Sequence, residues 1–275
     1  LTFVAKISKE AGVPTINSYF NESTAREHFE QGSVKLINAA GVFFHLEELH
    51  SVIKGVNYLL SEDGVFNIQC MYAGEMIKQK TFDMIYHEHL CYYTLKSLRN
   101  LLGIHGLEIF DAYHSPIHSG SLIVRACKGN AYEKSERLSK VEEEDANYTI
   151  EEFLKFSEHI KDSQGTLSSF LRNLVNEGKT IYAYGSPAKG NTLINFEGLN
   201  QEVIQKAVEI NDLKVNKILP VSRIPIEKES KEDYPDYYLL LSHNFKDEIL
   251  RKNKDLLDKG VKFIIPFPEI EVVSV

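Results

Sequence analysis

The chain has 275 residues, 43% of them apolar and 25% charged, which gives room for one large or two ordinary domains and excludes a disordered, collagenous or low-complexity chain. With 31 basic and 39 acidic side chains the net charge is −8, so the summed field repels polyphosphate and argues against nucleic-acid or anionic-membrane partners. The three cysteines, Cys70, Cys91 and Cys127, are scattered without C-x-x-C spacing, and no apolar run nears the roughly 18 residues of a membrane span. A soluble protein of the reducing cytoplasm is expected, with no leader read at Leu1 and no metal among these cysteines.

Residues 2–11 read as helix, followed by a turn at Gly12-Val13-Pro14 and helix caps at Asn21 and Ser23. Val34-Lys35-Leu36-Ile37 reads as a buried strand, and the small residues Ala39-Ala40-Gly41 after it let a ligand approach the backbone. Over Leu46–Leu60 apolar residues recur at helical spacing; Ser61–Gly64 reads as a turn and Val65–Ile68 as the next strand. This alternation predicts a parallel sheet covered by helices, with ligands at the carboxyl ends of its strands.

A helix over Leu95–Leu102 precedes two strands, Leu107–Phe110 and Ser121–Ala126, which flank a loop over Asp111–Gly120. Residues 130–146 turn polar through Glu142-Glu143-Glu144-Asp145 and read as a solvated linker or helix face. Ile150–Val175 carries an amphipathic helix or helix pair ending at Gly178. Strand and helix then alternate again. Thr180–Tyr184 is a strand, Gly185–Gly190 a loop, and a helix starts near Asn191; Tyr237–Leu241, Glu248–Leu257 and Val261–Ile265 repeat strand, helix and strand. The whole reads as α/β, a first Rossmann-like domain over 1–128, a helical linker over 129–178 and a second, small Rossmann-like domain over 179–275.

The densest group of proton-transfer side chains is Tyr86-His87-Glu88-His89, with Tyr92 and Tyr93 soon after. A histidine takes up a proton at cellular pH, a carboxylate fixes its tautomer, and a phenol donates to a developing oxyanion, a trio suited to removing a proton alpha to a carbonyl. On the residues alone a surface patch or a partial metal site has equal standing; a zincin is excluded, since its histidines stand four apart and these stand two apart. Ser115–Ser121 places His118 and hydroxyls in a tight loop that reads either as a sugar or phosphate contact or as an ordinary turn. Tyr184-Gly185-Ser186-Pro187-Ala188-Lys189-Gly190-Asn191-Thr192 follows a strand and opens a helix, a seat for an anion or a plain glycine turn, and it is neither G-x-G-x-x-G nor a P-loop.

Taken together, Ala39–Leu46, Phe82–Leu90, Pro116–Ser121 and Tyr184–Thr192, with Tyr234-Pro235-Asp236-Tyr237 and Phe263-Ile264-Ile265-Pro266, resemble the sugar C-methyltransferase family in order along nearly the whole chain. The resemblance implies an S-adenosylmethionine-dependent class I methyltransferase that methylates a carbon of a nucleotide-linked keto-deoxysugar. It implies His89 as the general base, Glu88 as its orienting carboxylate and Tyr86 as the enolate donor. It further implies cofactor contacts at Phe20, Ala40, Gly41 and His45, and substrate contacts at Tyr72, His118, Ser121, Tyr184, Lys189 and Asn191.

The family's His-Gly-Gly-Ser loop here reads His118-Ser119-Gly120-Ser121. Its glycine-rich first motif, the acidic residue of its second strand and its N-terminal cysteine-rich zinc module have no counterpart in these 275 residues, so the resemblance implies a chain truncated at its N-terminus, with zinc only in the absent module. Two other readings stay open: a non-catalytic nucleotide-sugar binding protein derived from this family, and a nicotinamide-dependent oxidoreductase using the Tyr184–Thr192 loop.

Overall fold

The computed structural model describes residues 2–116 and 120–274. Its helices are α1 (Thr2–Glu10), α2 (Glu22–His28), α3 (Leu49–Leu59), α4 (Ala73–Gln79), α5 (Leu95–Gly103), α6 (Glu136–Asp145), α7 (Ile150–Ser163), α8 (Thr166–Asn176), α9 (Ala188–Phe196), α10 (Lys246–Lys252) and α11 (Lys254–Asp258). Its strands are β1 (Val34–Ala40), β2 (Leu60–Met71), β3 (Leu107–Ser115), β4 (Ser121–Lys128), β5 (Ile181–Tyr184), β6 (Lys206–Glu209), β7 (Ile226–Lys228), β8 (Tyr237–Leu240), β9 (Lys262–Ile265) and β10 (Glu271–Val273).

The fold is α/β, and its contacts group into two compact units. The first takes the described residues of 1–72, 90–115 and 121–146; the second takes those of 73–89, 116–120 and 147–275. These limits differ from the divisions at 128 and 178 expected from composition. The polar stretch forms α6, which packs on β3 in the first unit. The helices expected to link two domains belong to the second unit, because Phe156 of α7 and Leu167, Leu171 and Leu174 of α8 enter one core with Ile181, Ala183, Leu193 and Ile194.

The sheet of the first unit has the order β1-β2-β4-β3. β1 and β2 run parallel, but β4 is antiparallel to both β2 and β3, so the sheet is mixed rather than purely parallel. The reason is covalent: β3 and β4 follow each other without the dozen or so residues a parallel crossover needs. β3 also continues to Ser115, past Phe110 where the sequence suggested its end.

Ser61–Gly64 is not a turn but lies inside β2, where the register jumps from Val34 opposite Leu60 to Leu36 opposite Val65. Gly64 permits this bulge, since a Cβ there would fall 2.9 Å from Leu60 Cδ2 and 3.0 Å from the Val34 oxygen. β1 is not the buried strand expected: among the described residues only β2 pairs with it, and Leu36 is 63% exposed. α3 supplies the unit's apolar cover through Val52, Ile53, Val56 and Leu59.

The second unit holds six strands in the order β10-β9-β8-β5-β6-β7, all parallel except β10. The chain enters at β5 in the middle, continues outward through β6 and β7, then returns to the other side of β5 with β8. That reversal of direction makes the carboxyl ends of β5 and β8 the topological switch point, where open α/β sheets form their crevice. The helix expected from Asn191 starts earlier, at Ala188. The helix expected over Glu248–Leu257 divides into α10 and α11 at Asn253, which is fully buried and donates from Nδ2 to the Tyr184 hydroxyl at 2.9 Å and to the Ile249 carbonyl at 2.9 Å.

α9 lies close on the sheet at Gly190, where a Cβ would sit 2.7 Å from Leu241 Cβ. Gly190→Ala is expected to force the helix and strand apart and lower stability by about 2 kcal/mol, read as a lower urea midpoint at unchanged slope.

Candidate functional site

Within the first unit, the carboxyl end of β1 opens on a cavity of about 790 Å³. Its walls come from three places: Tyr19 and Phe20 before α2, Asn38 and Ala39 of β1, and Val42 with His45, Leu46, Glu47 and Glu48 before α3, with Val52, Val56 and Phe66 behind. The volume suits a small organic ligand. The lining combines apolar side chains with the carboxylates of Glu47 and Glu48. Of the four expected cofactor contacts, Phe20 and His45 line this cavity. Ala40 ends β1 opposite Gln69, and Gly41 carries the chain out of the sheet with a φ of 64° and its N–H on the Gln69 carbonyl at 3.2 Å; Asn38 and Ala39 form the wall.

In the second unit, Tyr86, Glu88 and His89 share one turn, closed by the His89 N–H donating to the Tyr86 carbonyl at 2.9 Å. Glu88 is exposed, Tyr86 is half-buried, and His89 is buried. The imidazole of His89 stacks on the Tyr86 ring with centroids 3.9 Å apart. Its Nδ1 lies 2.8 Å from the Met84 carbonyl oxygen. A carbonyl only accepts, so the neutral ring carries its proton on Nδ1 and its lone pair on Nε2.

The segment just before this turn, Phe82–Met84, is a single turn of 3-10 helix. Its Asp83 is fully buried, and Oδ2 lies 2.7 Å from Nε2 of His243, which follows β8. The same Nε2 lies 3.1 Å from Nζ of Lys189, in the first turn of α9. Burial pushes the Lys189 ammonium down to about 8, against the pull of Asp83 in the opposite sense. Asp83 and His243 were not singled out in the sequence: Asp83 stands within the Phe82–Leu90 stretch without a role of its own, and His243 stands alone in Ser-His-Asn-Phe.

The loop after β5 does not offer the open anion seat its glycines suggested. Glu209, at the end of β6, fills the seat from within: Oε2 accepts from the Ser186 N–H at 3.1 Å and its hydroxyl at 2.6 Å, and Oε1 accepts from the N–H groups of Ile210 and Asn211. Burial pushes this carboxyl up, but those bonds and the Lys214 ammonium prevail and hold it below the usual range. A phosphate arriving here meets a carboxylate already on the donors it needs.

Three further expected contacts are buried and bonded inside the protein. Tyr72 is 1% exposed and donates to Asp145 Oδ1 at 2.8 Å; the two oxygens of Asp145 also accept from Leu95 N and Lys96 N, capping α5. The Ser121 hydroxyl accepts from Gln69 Nε2 at 2.6 Å. Tyr184 donates to Glu229, and burial raises its phenol well above the ordinary value. Asn191 has a buried Oδ1 without a hydrogen-bond partner among the described residues. His118 lies outside the described residues. Among the described residues no cluster of His, Cys, Asp and Glu is arranged to hold a metal ion, and no helix is long and apolar enough to cross a membrane.

The family profile described as the C-methyltransferase C-terminal domain matches residues 116–268. The C-methyltransferase NovU of Streptomyces niveus is 34% identical over 278 residues, covering 98% of this chain and 66% of that protein, so the chain spans somewhat less than two thirds of the relative's length. Among solved structures, the 1,6-didemethyltoxoflavin-N1-methyltransferase of Burkholderia thailandensis with S-adenosylhomocysteine aligns at TM-score 0.34 and 16% identity, over 46% of this chain and 56% of that one. A protein from a study of disulfide-to-thioacetal conversion in echinomycin biosynthesis aligns at TM-score 0.35 and 11% identity, over 52% of this chain and 67% of that one.

Proposed function

Because the chain belongs to the C-methyltransferase family, we propose that it acts with S-adenosylmethionine to methylate a carbon of a nucleotide-linked keto-deoxysugar. The observation that carries this reading is the bond from His89 Nδ1 to the Met84 carbonyl, which leaves Nε2 as the basic nitrogen of a buried ring.

His89 removes the proton alpha to the sugar ketone at Nε2. Glu88, next to it in the turn, favours the imidazolium that forms, and Tyr86 donates from its hydroxyl to the enolate oxygen. When bound, S-adenosylmethionine would supply an electrophilic sulfonium methyl group for the enolate carbon, with S-adenosylhomocysteine as the leaving group, and His89 would hold the abstracted proton until solvent takes it. The cavity at the end of β1 supports the cofactor side of the reading. Phe20 and the apolar wall suit an adenine ring, and Glu47 and Glu48 suit ribose hydroxyls.

The test is to incubate the protein with nucleotide-linked keto-deoxysugars in D₂O and follow the alpha-proton resonance, then to add methyl-labelled S-adenosylmethionine. Exchange of that proton followed by label on carbon is expected. Label on oxygen or nitrogen refutes the reaction, and saturable sugar binding without exchange establishes the non-catalytic binding protein in its place.

A further inference from the structure

The buried group Asp83, His243 and Lys189 has no part in the chemistry above, yet it ties together three segments that meet at the switch point of the second sheet. Asp83 sits in the 3-10 turn before the reactive turn, His243 follows β8, and Lys189 opens α9. All three side chains are inaccessible: Asp83 is 0% exposed, the His243 side chain 7%, and Lys189 8%. Aromatic rings pack beside them, with Phe82 on Phe196 at 4.5 Å and on Phe267 at 5.3 Å, and His243 on Phe267 at 5.0 Å.

Valence settles who bonds to whom. His243 Nε2 holds either one proton or one lone pair, and an ionised Asp83 only accepts, so at 2.7 Å the proton lies on Nε2 and points at Oδ2. Lys189, 3.1 Å from that same nitrogen, then has no lone pair to donate into; Asp83 attracts its charge through space, and Asp83 Oδ1 is buried without a hydrogen-bond partner among the described residues. The carboxylate therefore bonds His243 directly, and Lys189 meets the pair through His243. A buried cluster of this kind stabilises a fold poorly, and its best-attested use is to fix a single arrangement of the parts it joins.

The part fixed here is the reactive turn. Asp83 directly precedes Met84, and it is the Met84 carbonyl that holds the proton on His89 Nδ1. We propose that Asp83 and His243 are positioning residues that hold the Met84 carbonyl against His89 and so set the tautomer in which Nε2 is basic. The inference rests on the role of His89 proposed above, but its primary readout does not.

The experiment is ¹⁵N NMR of histidine-labelled protein, with His89 assigned by its loss in His89→Gln. The wild-type neutral ring is expected to carry its proton on Nδ1 and none on Nε2. In His243→Phe, which keeps a ring but removes the donor to Asp83, the ratio of Nδ1–H to Nε2–H tautomers is expected to fall at least tenfold, as in Asp83→Ala. His243→Gln, whose amide N–H reaches Oδ2, is expected to restore most of the wild-type ratio. Where Asp83→Ala lowers the urea midpoint too far to be studied, the His243 pair decides alone. An unchanged tautomer in folded His243→Phe overturns the proposal, and so does an equal loss in Phe and Gln variants.

Alpha-proton exchange by the same proteins separates the two claims. A tautomer shift with no exchange even in the wild type retains the positioning role and refutes the reaction. Exchange in the wild type with an unmoved tautomer in His243→Phe does the reverse.

Discussion

His89→Gln is expected to slow alpha-proton exchange and methyl transfer by about 10²- to 10⁴-fold, the contribution of a positioned general base, while the binding of a nucleotide sugar changes little. Glutamine keeps an amide N–H that can reach the Met84 carbonyl, which now holds Nδ1 at 2.8 Å, so the turn keeps its shape while the basic nitrogen is lost. Exchange should fall in parallel with methylation, since both pass through the same enolate. Exchange within tenfold of wild type in a correctly folded His89→Gln protein eliminates the base role, and the exposed Glu88 then becomes the group to test. Glu88→Gln is expected to have the smaller effect, because an exposed carboxylate acts on the imidazolium through high-dielectric solvent.

The turn that brings Tyr86, Glu88 and His89 together was legible in the sequence because its residues are neighbours and need only one turn to meet. The strand, glycine loop and helix at Thr180–Thr192 were legible for the same reason. What the sequence concealed depends on pairing across distance. The Leu107–Phe110 and Ser121–Ala126 strands carry no mark of direction, so the antiparallel half of the first sheet did not show in them. Ser61–Gly64 has the composition of a turn, and only the register between β1 and β2 reveals that the strand passes through it. Glu209 lies 23 residues beyond Ser186, so the seat there read as open. Asp83 and His243 are 160 positions apart, and neither has a sequence neighbour that announces a partner.

Lys189 makes a second large effect measurable, in the pH dependence of folding. Its ammonium is lowered from 10.5 to about 8 because burial disfavours the charge more than Asp83 favours it, and His243 faces it with an N–H rather than an acceptor. Below about pH 8 the lysine is charged in both folded and unfolded chains, so its burial penalty is constant. Between about 8 and 10.5 the unfolded chain binds more protons than the folded one, so this residue adds stability as pH rises. The gain is about 3 kcal/mol by about pH 10. Other buried groups act in the opposite direction: burial pushes the Cys70 thiol from 9.0 up to about 12 and raises the phenols of Tyr93 and Tyr184, so each favours unfolding once its unfolded-state counterpart ionises. The raw stability curve therefore mixes signs, and the difference between wild type and Lys189→Met isolates the lysine. In urea titrations that difference should be flat below pH 8 and then shift by about 3 kcal/mol in favour of the wild type by about pH 10. A flat difference across the whole range overturns the lowering of the Lys189 ammonium: either it reaches solvent and lies outside the buried group around Asp83, or the Asp83 carboxylate cancels its burial.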